Sequence, residues 1–336
     1  MSELRKDPIM KRWVIVASER SLKPYDFPSE GEVATYPCAF CPGQERLTPP
    51  EVFSFRKENT GPDQPGWTVR VIPNKFPAVQ ASDFFYHADS GLFEKMAGVG
   101  VHEVIIETPE HYSDLADLPV QHIEKILHTF CQRMEAAEKD PKLKYCLIFK
   151  NQGKEAGASI QHPHSQLIAI PVVPKRVEEE LEGAREYFYR KKSCVFCDLI
   201  REEMTRAERV ILVNSDFLVC IPYAARFPYE IWVLPIRHTS SFLTVSLEEI
   251  RSLSLVLKKT LQAIKVGLDR APFNFILHVA PFSRSGENYE TYYHWHIEIL
   301  PALTKIAGFE WGSGFYINPV IPEEAAQNLK NFVPKE

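Results

Sequence analysis

The sequence predicts an α+β fold, antiparallel sheets with helices packed on them, built twice over on one plan. Two observations predict it. The same landmarks recur in the same order in each half of the chain, and in each half short β-rich runs flank a long amphipathic helix. The first half opens with Cys38-x-x-Cys41 and continues through Val69-Arg-Val-Ile-Pro-Asn74-Lys-Phe76. It then runs through His102-Glu-Val-Ile-Ile-Glu-Thr-Pro-Glu-His111, a helical stretch, and a β-rich segment ending in His162-Pro-His164. The second half gives Cys194-x-x-Cys197, Val210-Ile-Leu-Val-Asn214-Ser-Asp-Phe217 and Tyr229-Glu-Ile-Trp-Val-Leu-Pro-Ile-Arg-His238. A helix follows, and then a segment ending in His294-Trp-His296. Ordinary α/β alternation does not produce paired cysteines and a His-x-His at matching places, so we divide the chain at 1–174 and 175–336.

Each element follows from its pattern. Val101–Glu107 and Ile231–Leu234 are short β-rich runs, and Leu143–Lys150, Phe273–Val279, Gln166–Ile170 and His294–Leu300 read as buried strands. Val120–Lys139 carries Ile123, Ile126, Leu127, Phe130 and Met134 at helical spacing, and Leu247–Val266 does the same with Leu253, Leu257, Leu261 and Ile264. Pro174–Lys192, dense in Glu, Lys and Arg, reads as a solvated helical connector between the halves.

Composition narrows the function. With 336 residues, 45% hydrophobic and 25% charged, the chain is a globular protein with room for two domains. A net charge of −5 supplies no basic field for nucleic acid. The first eight residues are charged where a secretory signal would be apolar, and no apolar run approaches the roughly 20 residues that span a bilayer. We therefore expect a cytoplasmic protein with no membrane partner.

Four of the seven cysteines form the two C-x-x-C pairs, while Cys131, Cys146 and Cys220 sit in apolar surroundings and read as buried small hydrophobes. Thiolate and imidazole suit tetrahedral zinc, and a closed Cys2His2 shell is a structural site. His111 and His162 complete a shell with Cys38 and Cys41; the repeat puts His238 and His294 in the same places beside Cys194 and Cys197. Two zinc ions per chain follow. A redox dithiol is the competing reading, but neither pair lies between a strand and a helix start, and each is accompanied by two histidines in register. Histidines 87, 102, 122 and 128 lack such support and read as surface or satisfied core residues.

On an extended strand His162, His164 and Gln166 share a face. A neutral imidazole attacks phosphorus well when one nitrogen is free and the other N–H is anchored. Pro163 fixes local φ between the two histidines. Upstream, Asn151-Gln-Gly153-Lys-Glu-Ala-Gly157-Ala-Ser159 offers backbone amides and the Ser159 hydroxyl to phosphate oxygens, and Gln166 can donate an amide hydrogen to the phosphoryl group.

With these residues the chain resembles the galactose-1-phosphate uridylyltransferase branch of the histidine-triad superfamily, whose active-site strand carries His-Pro-His-x-Gln. The resemblance runs from Asp7-Pro-x-x-x-Arg-Trp13 to Gly308-Phe-Glu310 and Tyr316-Ile-Asn-Pro319. It implies a duplicated histidine-triad (HIT-like) fold, usually a homodimer with active sites near the subunit interface. It also implies a two-step exchange of nucleotide sugar and sugar 1-phosphate: His164 takes the uridylyl group from UDP-glucose and passes it to galactose 1-phosphate. By the same resemblance the His162 carbonyl orients His164, Asn74, Phe76 and Asn151 contact the nucleoside, and Arg20 with Lys23 faces phosphates. Gly157 lies in the matching loop, and Phe309 and Glu310 match a hexose-contacting segment.

Three departures bear on substrate. Lys75 replaces an acidic residue at the nucleoside site, and Lys23 stands where an arginine is usual. Better-known uridylyltransferases bind their second metal through a glutamate and three histidines, here Glu180, His278, His294 and His296. His294 cannot serve both that set and Cys194/Cys197, and the thiolates bind zinc harder. The two-cysteine-pair pattern is also similar to plant-type ADP-glucose phosphorylases. Beside uridylyl transfer stand adenylyl transfer from ADP-glucose, a HIT-type nucleotide hydrolase and a non-enzymatic zinc scaffold.

Overall fold

A computed structural model describes residues 2–7, 13–16, 37–82, 86–282 and 287–335. Arg20 and Lys23 lie outside the described residues. In chain order the strands of the first half are β1 (Glu3–Lys6), β2 (Trp13–Val16), β3 (Phe53–Arg56), β4 (Trp67–Pro73), β5 (His87–Ser90), β6 (Phe93–Ala97) and β7 (Val101–Ile106). Helix α1 (Val120–Glu138) separates them from β8 (Tyr145–Gln152) and β9 (His164–Ile170). Helices α2 (Lys175–Lys191) and α3 (Val195–Arg206) lead into β10 (Val210–Val213), β11 (Phe217–Cys220) and β12 (Ile231–Pro235). Helix α4 (Leu247–Gly267) precedes β13 (Phe273–His278) and β14 (His296–Pro301), and α5 (Gly308–Ser313) and α6 (Pro322–Lys330) follow.

The expected duplication is visible, with one difference. The two halves do not build separate sheets: ten strands join in the order β10-β11-β12-β14-β13-β8-β9-β7-β4-β3. Read outward from the centre, β8 answers to β13, β9 to β14, β7 to β12, β4 to β11 and β3 to β10. The join is the antiparallel pair β13–β8, with Phe273 opposite Gln152 and Leu277 opposite Ile148. Alternation within one half does not reveal it, because both strands are apolar enough to sit mid-sheet. A small four-stranded sheet, β2-β1-β6-β5, stands apart; β1, β5 and β6 are short and charged and carry no strong β signal, whereas β2 is the apolar Trp-Val-Ile-Val.

Helix α1 buries Ile123, Ile126, Leu127, Phe130 and Met134, and α4 buries Leu253, Leu257, Leu261 and Ile264. The two helices pack against each other, and their buried faces join one hydrophobic core with the central strands. A capping box starts α4: the Ser246 hydroxyl accepts from the Glu249 N–H while the Glu249 carboxylate accepts from the Ser246 N–H. The connector expected over 174–192 is helical as α2. Cys194 is the N-cap of α3, so the second cysteine pair does open a helix, though α2 and not a strand precedes it. Among the described residues no helix is long and apolar enough to cross a membrane.

Candidate active site and metal centres

Strand β9 pairs with β7 so that Ile106 faces His164 and Val104 faces Gln166. Side chains opposite one another share a face, so His164 and Gln166 stand together over the small apolar cluster of Cys38, Phe40, Trp67, Ile72, Val104 and Ile106. His164 is buried, and its Nδ1–H donates to the His162 carbonyl at 2.8 Å. That leaves Nε2 as the lone-pair nitrogen, and no hydrogen bond to it occurs among the described residues. Burial draws the His164 imidazole below its ordinary range; the His162 carbonyl opposes the shift and the nearby Lys150 ammonium adds to it. The ring is therefore neutral at pH 7, the form a phosphorus nucleophile requires.

Beneath it, Cys38, Cys41, His111 and His162 bring their ligand atoms within 4.8 Å of one another. Cys41 Sγ lies 3.3 Å from His111 Nδ1 and 3.7 Å from His162 Nδ1. His162 Nε2–H donates to the Thr108 carbonyl at 2.7 Å, which fixes the tautomer that presents Nδ1 to the thiolates. Burial pushes His162 down to about 4, so it is neutral too. Two sulfurs and two imidazole nitrogens, anchored from behind, fit tetrahedral zinc. The turn between the cysteines reaches His164 through Phe40, whose ring sits edge-on to the imidazole at 5.5 Å. Nothing in the sequence marked Phe40 beyond its place between two candidate ligands.

Cys194, Cys197, His238 and His294 repeat the arrangement, again within 4.8 Å. Cys197 Sγ lies 3.2 Å from His238 Nδ1 and 3.7 Å from His294 Nδ1, and His294 Nε2–H donates to the Pro235 carbonyl at 2.7 Å. His294 thus faces the cysteines. Glu180, His278 and His296 form a separate group, with Glu180 Oε1 3.3 Å from His296 Nε2 and the two imidazoles stacked 4.7 Å apart. The second half therefore keeps the His-x-His geometry, His296 Nδ1–H pointing to the His294 carbonyl at 3.3 Å. Its outer nitrogen, however, is closed off by Glu180, and His296 is 1% exposed.

The glycine loop follows β8. Gly153 and Gly157 have φ of +86° and +89°, a region side chains disfavour, and a Cβ on Gly153 would lie 2.8 Å from the Pro272 ring. The loop closes on itself through Ala158 N–H to the Gly153 carbonyl. Asn274 of β13 holds it from the other half: its amide donates to Asn151 Oδ1 at 2.9 Å and to the Ala156 carbonyl at 2.8 Å. With its oxygen so occupied, Asn151 turns its N–H2 elsewhere. Asn274 was not foreseen, because its role depends on the β13–β8 join. Ser159 and Gly157 are exposed on this loop, and Phe76 is exposed at the end of β4's loop. Phe309 is exposed on α5, where Glu310 accepts from the Ala307 N–H.

On the opposite face of the sheet lies a dry ion pair. Lys150 Nζ is 2.8 Å from Glu107 Oε2 and 3.3 Å from the His164 carbonyl, and Ser165 Oγ–H donates to Glu107 Oε1 at 2.5 Å. The side chains of Lys150 and Glu107 are 1% and 0% exposed. The Glu107 N–H also holds the Pro163 carbonyl at 3.1 Å. Glu107 thus holds the Pro163 carbonyl on one side of His164 and the Ser165 hydroxyl on the other.

Residues 1–174 match the family described as galactose-1-phosphate uridyl transferase, N-terminal domain, and residues 180–331 match its C-terminal domain. The chain is 36% identical to an ADP-glucose phosphorylase of Arabidopsis thaliana, covering 98% of this chain and 92% of that one. It is 32% identical to a galactose-1-phosphate uridylyltransferase of Thermotoga maritima, covering 98% of each. A crystal structure of an Arabidopsis thaliana ADP-glucose phosphorylase with bound ADP-glucose superposes with a TM-score of 0.76 at 35% identity, over 98% of this chain and 99% of that one. A uridylyltransferase structure superposes at 0.82 with 32% identity, over 98% of each.

Proposed function

Because the chain belongs to the galactose-1-phosphate uridyl transferase family, and with it to the nucleotidyltransferases, we propose that it carries UMP from UDP-glucose to a hexose 1-phosphate, galactose 1-phosphate first, through His164. The observation that carries this is the neutral imidazole of His164, tethered at Nδ1 with Nε2 free. In the first step Nε2 attacks the α-phosphorus, the N–P bond forms, and the bond to the departing sugar 1-phosphate breaks. The Nδ1–H stays on its carbonyl and shares the positive charge the ring acquires. In the second step a phosphate oxygen of the acceptor attacks the same phosphorus and the N–P bond breaks. Gln166 and the amides and hydroxyl of 153–159 donate to the phosphoryl oxygens, and Asn74, Phe76 and Asn151 hold the nucleoside.

Cys38, Cys41, His111 and His162 hold one zinc in this reading, and Cys194, Cys197, His238 and His294 a second. Each ion, when bound, supplies rigidity through its four ligands and no acid–base chemistry. A homodimer in the cytoplasm completes the proposal. The exposed Phe309, Trp311 and Phe315, at 58%, 76% and 72%, support a site finished by a second copy's α5 region.

Ping-pong exchange is the test. Labelled glucose 1-phosphate should enter UDP-glucose with no galactose 1-phosphate present. Equal release of free UMP with and without acceptor would sink the transferase reading. Adenylyl transfer from ADP-glucose to inorganic phosphate is the second reading, favoured by the 36% identity to an ADP-glucose phosphorylase against 32% to the uridylyltransferase. ADP-glucose turning over while UDP-glucose stays inert would put it first.

A further inference from the structure

His102 lies on β7, two pairs along from the Val104–Gln166 pair and on the same face, and is 6% exposed. It is held from several sides. The Ala78 N–H donates to His102 Nδ1 at 3.0 Å, the Asn74 N–H donates to the His102 carbonyl at 2.8 Å, and His102 Nε2 lies 2.9 Å from Gln166 Oε1. The nucleoside-side loop 74–78 is thus wrapped around a side chain that also touches Gln166.

A backbone N–H can only donate, so Nδ1 is an acceptor and carries no proton. The neutral ring then bears its hydrogen on Nε2, which donates to Gln166 Oε1. An amide has one oxygen end and one N–H2 end. With the oxygen held by His102, Gln166 presents N–H donors away from it. Reversed, the amide would put its oxygen against phosphoryl oxygens, which repel it. Asn74 Nδ2 also lies 3.0 Å from His102 Nε2. Both are donors in this tautomer, so no hydrogen bond forms there. Asn74 Oδ1 is taken by the Phe76 N–H at 2.9 Å, which fixes the orientation of the Asn74 amide.

We propose that His102 is a positioning residue: its backbone-selected tautomer fixes the Gln166 amide with N–H toward the transferred phosphoryl group, and so links the nucleoside loop to the reacting centre. The inference rests on the nucleotidyl-His164 reading and adds the group that sets the polarity of its phosphoryl donor. His102 touches neither phosphorus nor leaving group; it acts through Gln166.

A double-mutant cycle tests it, read as the single-turnover rate at which labelled nucleotide becomes bound to the protein at saturating nucleotide sugar, with UDP-glucose and ADP-glucose both tried. His102→Phe keeps the ring's shape and removes both polar contacts; it should slow labelling about tenfold, the worth of a lost hydrogen bond. His102→Gln can accept from Ala78 and donate to Gln166, and should recover to within about threefold of wild type. In a Gln166→Ala background His102→Phe should cost less than about twofold, since the amide it orients is gone. Equal losses in both backgrounds overturn the inference, because a merely structural role does not depend on Gln166. So does a His102→Gln protein as slow as His102→Phe with melting temperature and metal content unchanged. If His102→Phe does not fold, Ala78→Pro, which deletes the N–H that selects the tautomer, takes its place in the cycle with the same expectations. A wild-type protein that takes no label from either nucleotide sugar refutes the nucleotidyl-enzyme reading itself, and this inference with it.

Discussion

Replacing Lys150 with methionine removes the cation from a carboxylate that water does not reach. Glu107 would keep only the Ser165 hydroxyl at 2.5 Å as a side-chain partner, inside a site where its side chain is 0% exposed. Breaking a buried pair on one side costs about 3–5 kcal/mol. An independent ceiling comes from the escape route: neutralising an ordinary glutamate at pH 7 costs about 4 kcal/mol. The Lys150→Met protein should therefore lose about 3–4 kcal/mol in urea unfolding at pH 7. Because its native state would take up a proton that the unfolded chain does not hold, the deficit should shrink as pH is lowered toward 5. Lys150→Met with Glu107→Gln leaves no charge and keeps an acceptor for Ser165; it should return to within about 1–2 kcal/mol of wild type. A double variant as unstable as the single, or a single variant that loses under about 1 kcal/mol, would refute the view that Glu107 is a buried anion held by Lys150.

Other expectations are more direct. His164→Ala should abolish nucleotidyl exchange with fold and metal content intact; more than a few per cent residual exchange removes it as the nucleophile. Elemental analysis should find about two zinc per chain, the number for two closed shells. Cys38→Ser should lose one ion and most activity, because Phe40 and the His162 carbonyl both hold His164, whereas Cys194→Ser should lose the other ion and chiefly stability. Since burial lowers the His164 pKa, the active neutral form persists as pH falls through the ordinary histidine value near 6.5. Labelling rate should be flat from pH 8 to 6.5 and decline only below it, and a rate already halved at pH 7 contradicts that placement.

Much of this site could be read from spacing. Two Cys-x-x-Cys pairs, two His-x-His segments and the histidines that close the matching runs before each helix, His111 and His238, were enough to assemble both sets of metal-ligand candidates, because short-range spacing and duplication are properties of the chain itself. Strand alternation put His162, His164 and Gln166 on one face; β9 begins at His164, so alternation within the strand holds for His164 and Gln166 while His162 lies just ahead of it. Helical periodicity gave α1 and α4. What escaped depends on contacts between distant segments. Phe40 earns its place by where the cysteine turn lands, and Asn274 by a pairing between halves. His102, read as a surface or satisfied core histidine, is fixed by a loop that folds back over it. Lys150 and Glu107 look like ordinary strand charges until the sheet puts them side by side.

The β13–β8 join has a consequence for anyone who would handle the halves separately. Chain division between 174 and 180, where the two family matches part, cuts no strand, yet each fragment would bare one long edge of a ten-stranded sheet. Those edges are β8, with Tyr145, Cys146 and Ile148 buried, and β13, with Phe273, Phe275 and Leu277 buried. Neither carries the proline or bulge by which natural sheets discourage edge-to-edge growth. The N-terminal fragment, although it contains His164 and every candidate ligand of the first metal site, would meet its own copies through β8 and aggregate. Supplied together, the two fragments have complementary edges, and reassembly across that seam is the route by which Asn274 would regain Asn151 and the glycine loop its shape.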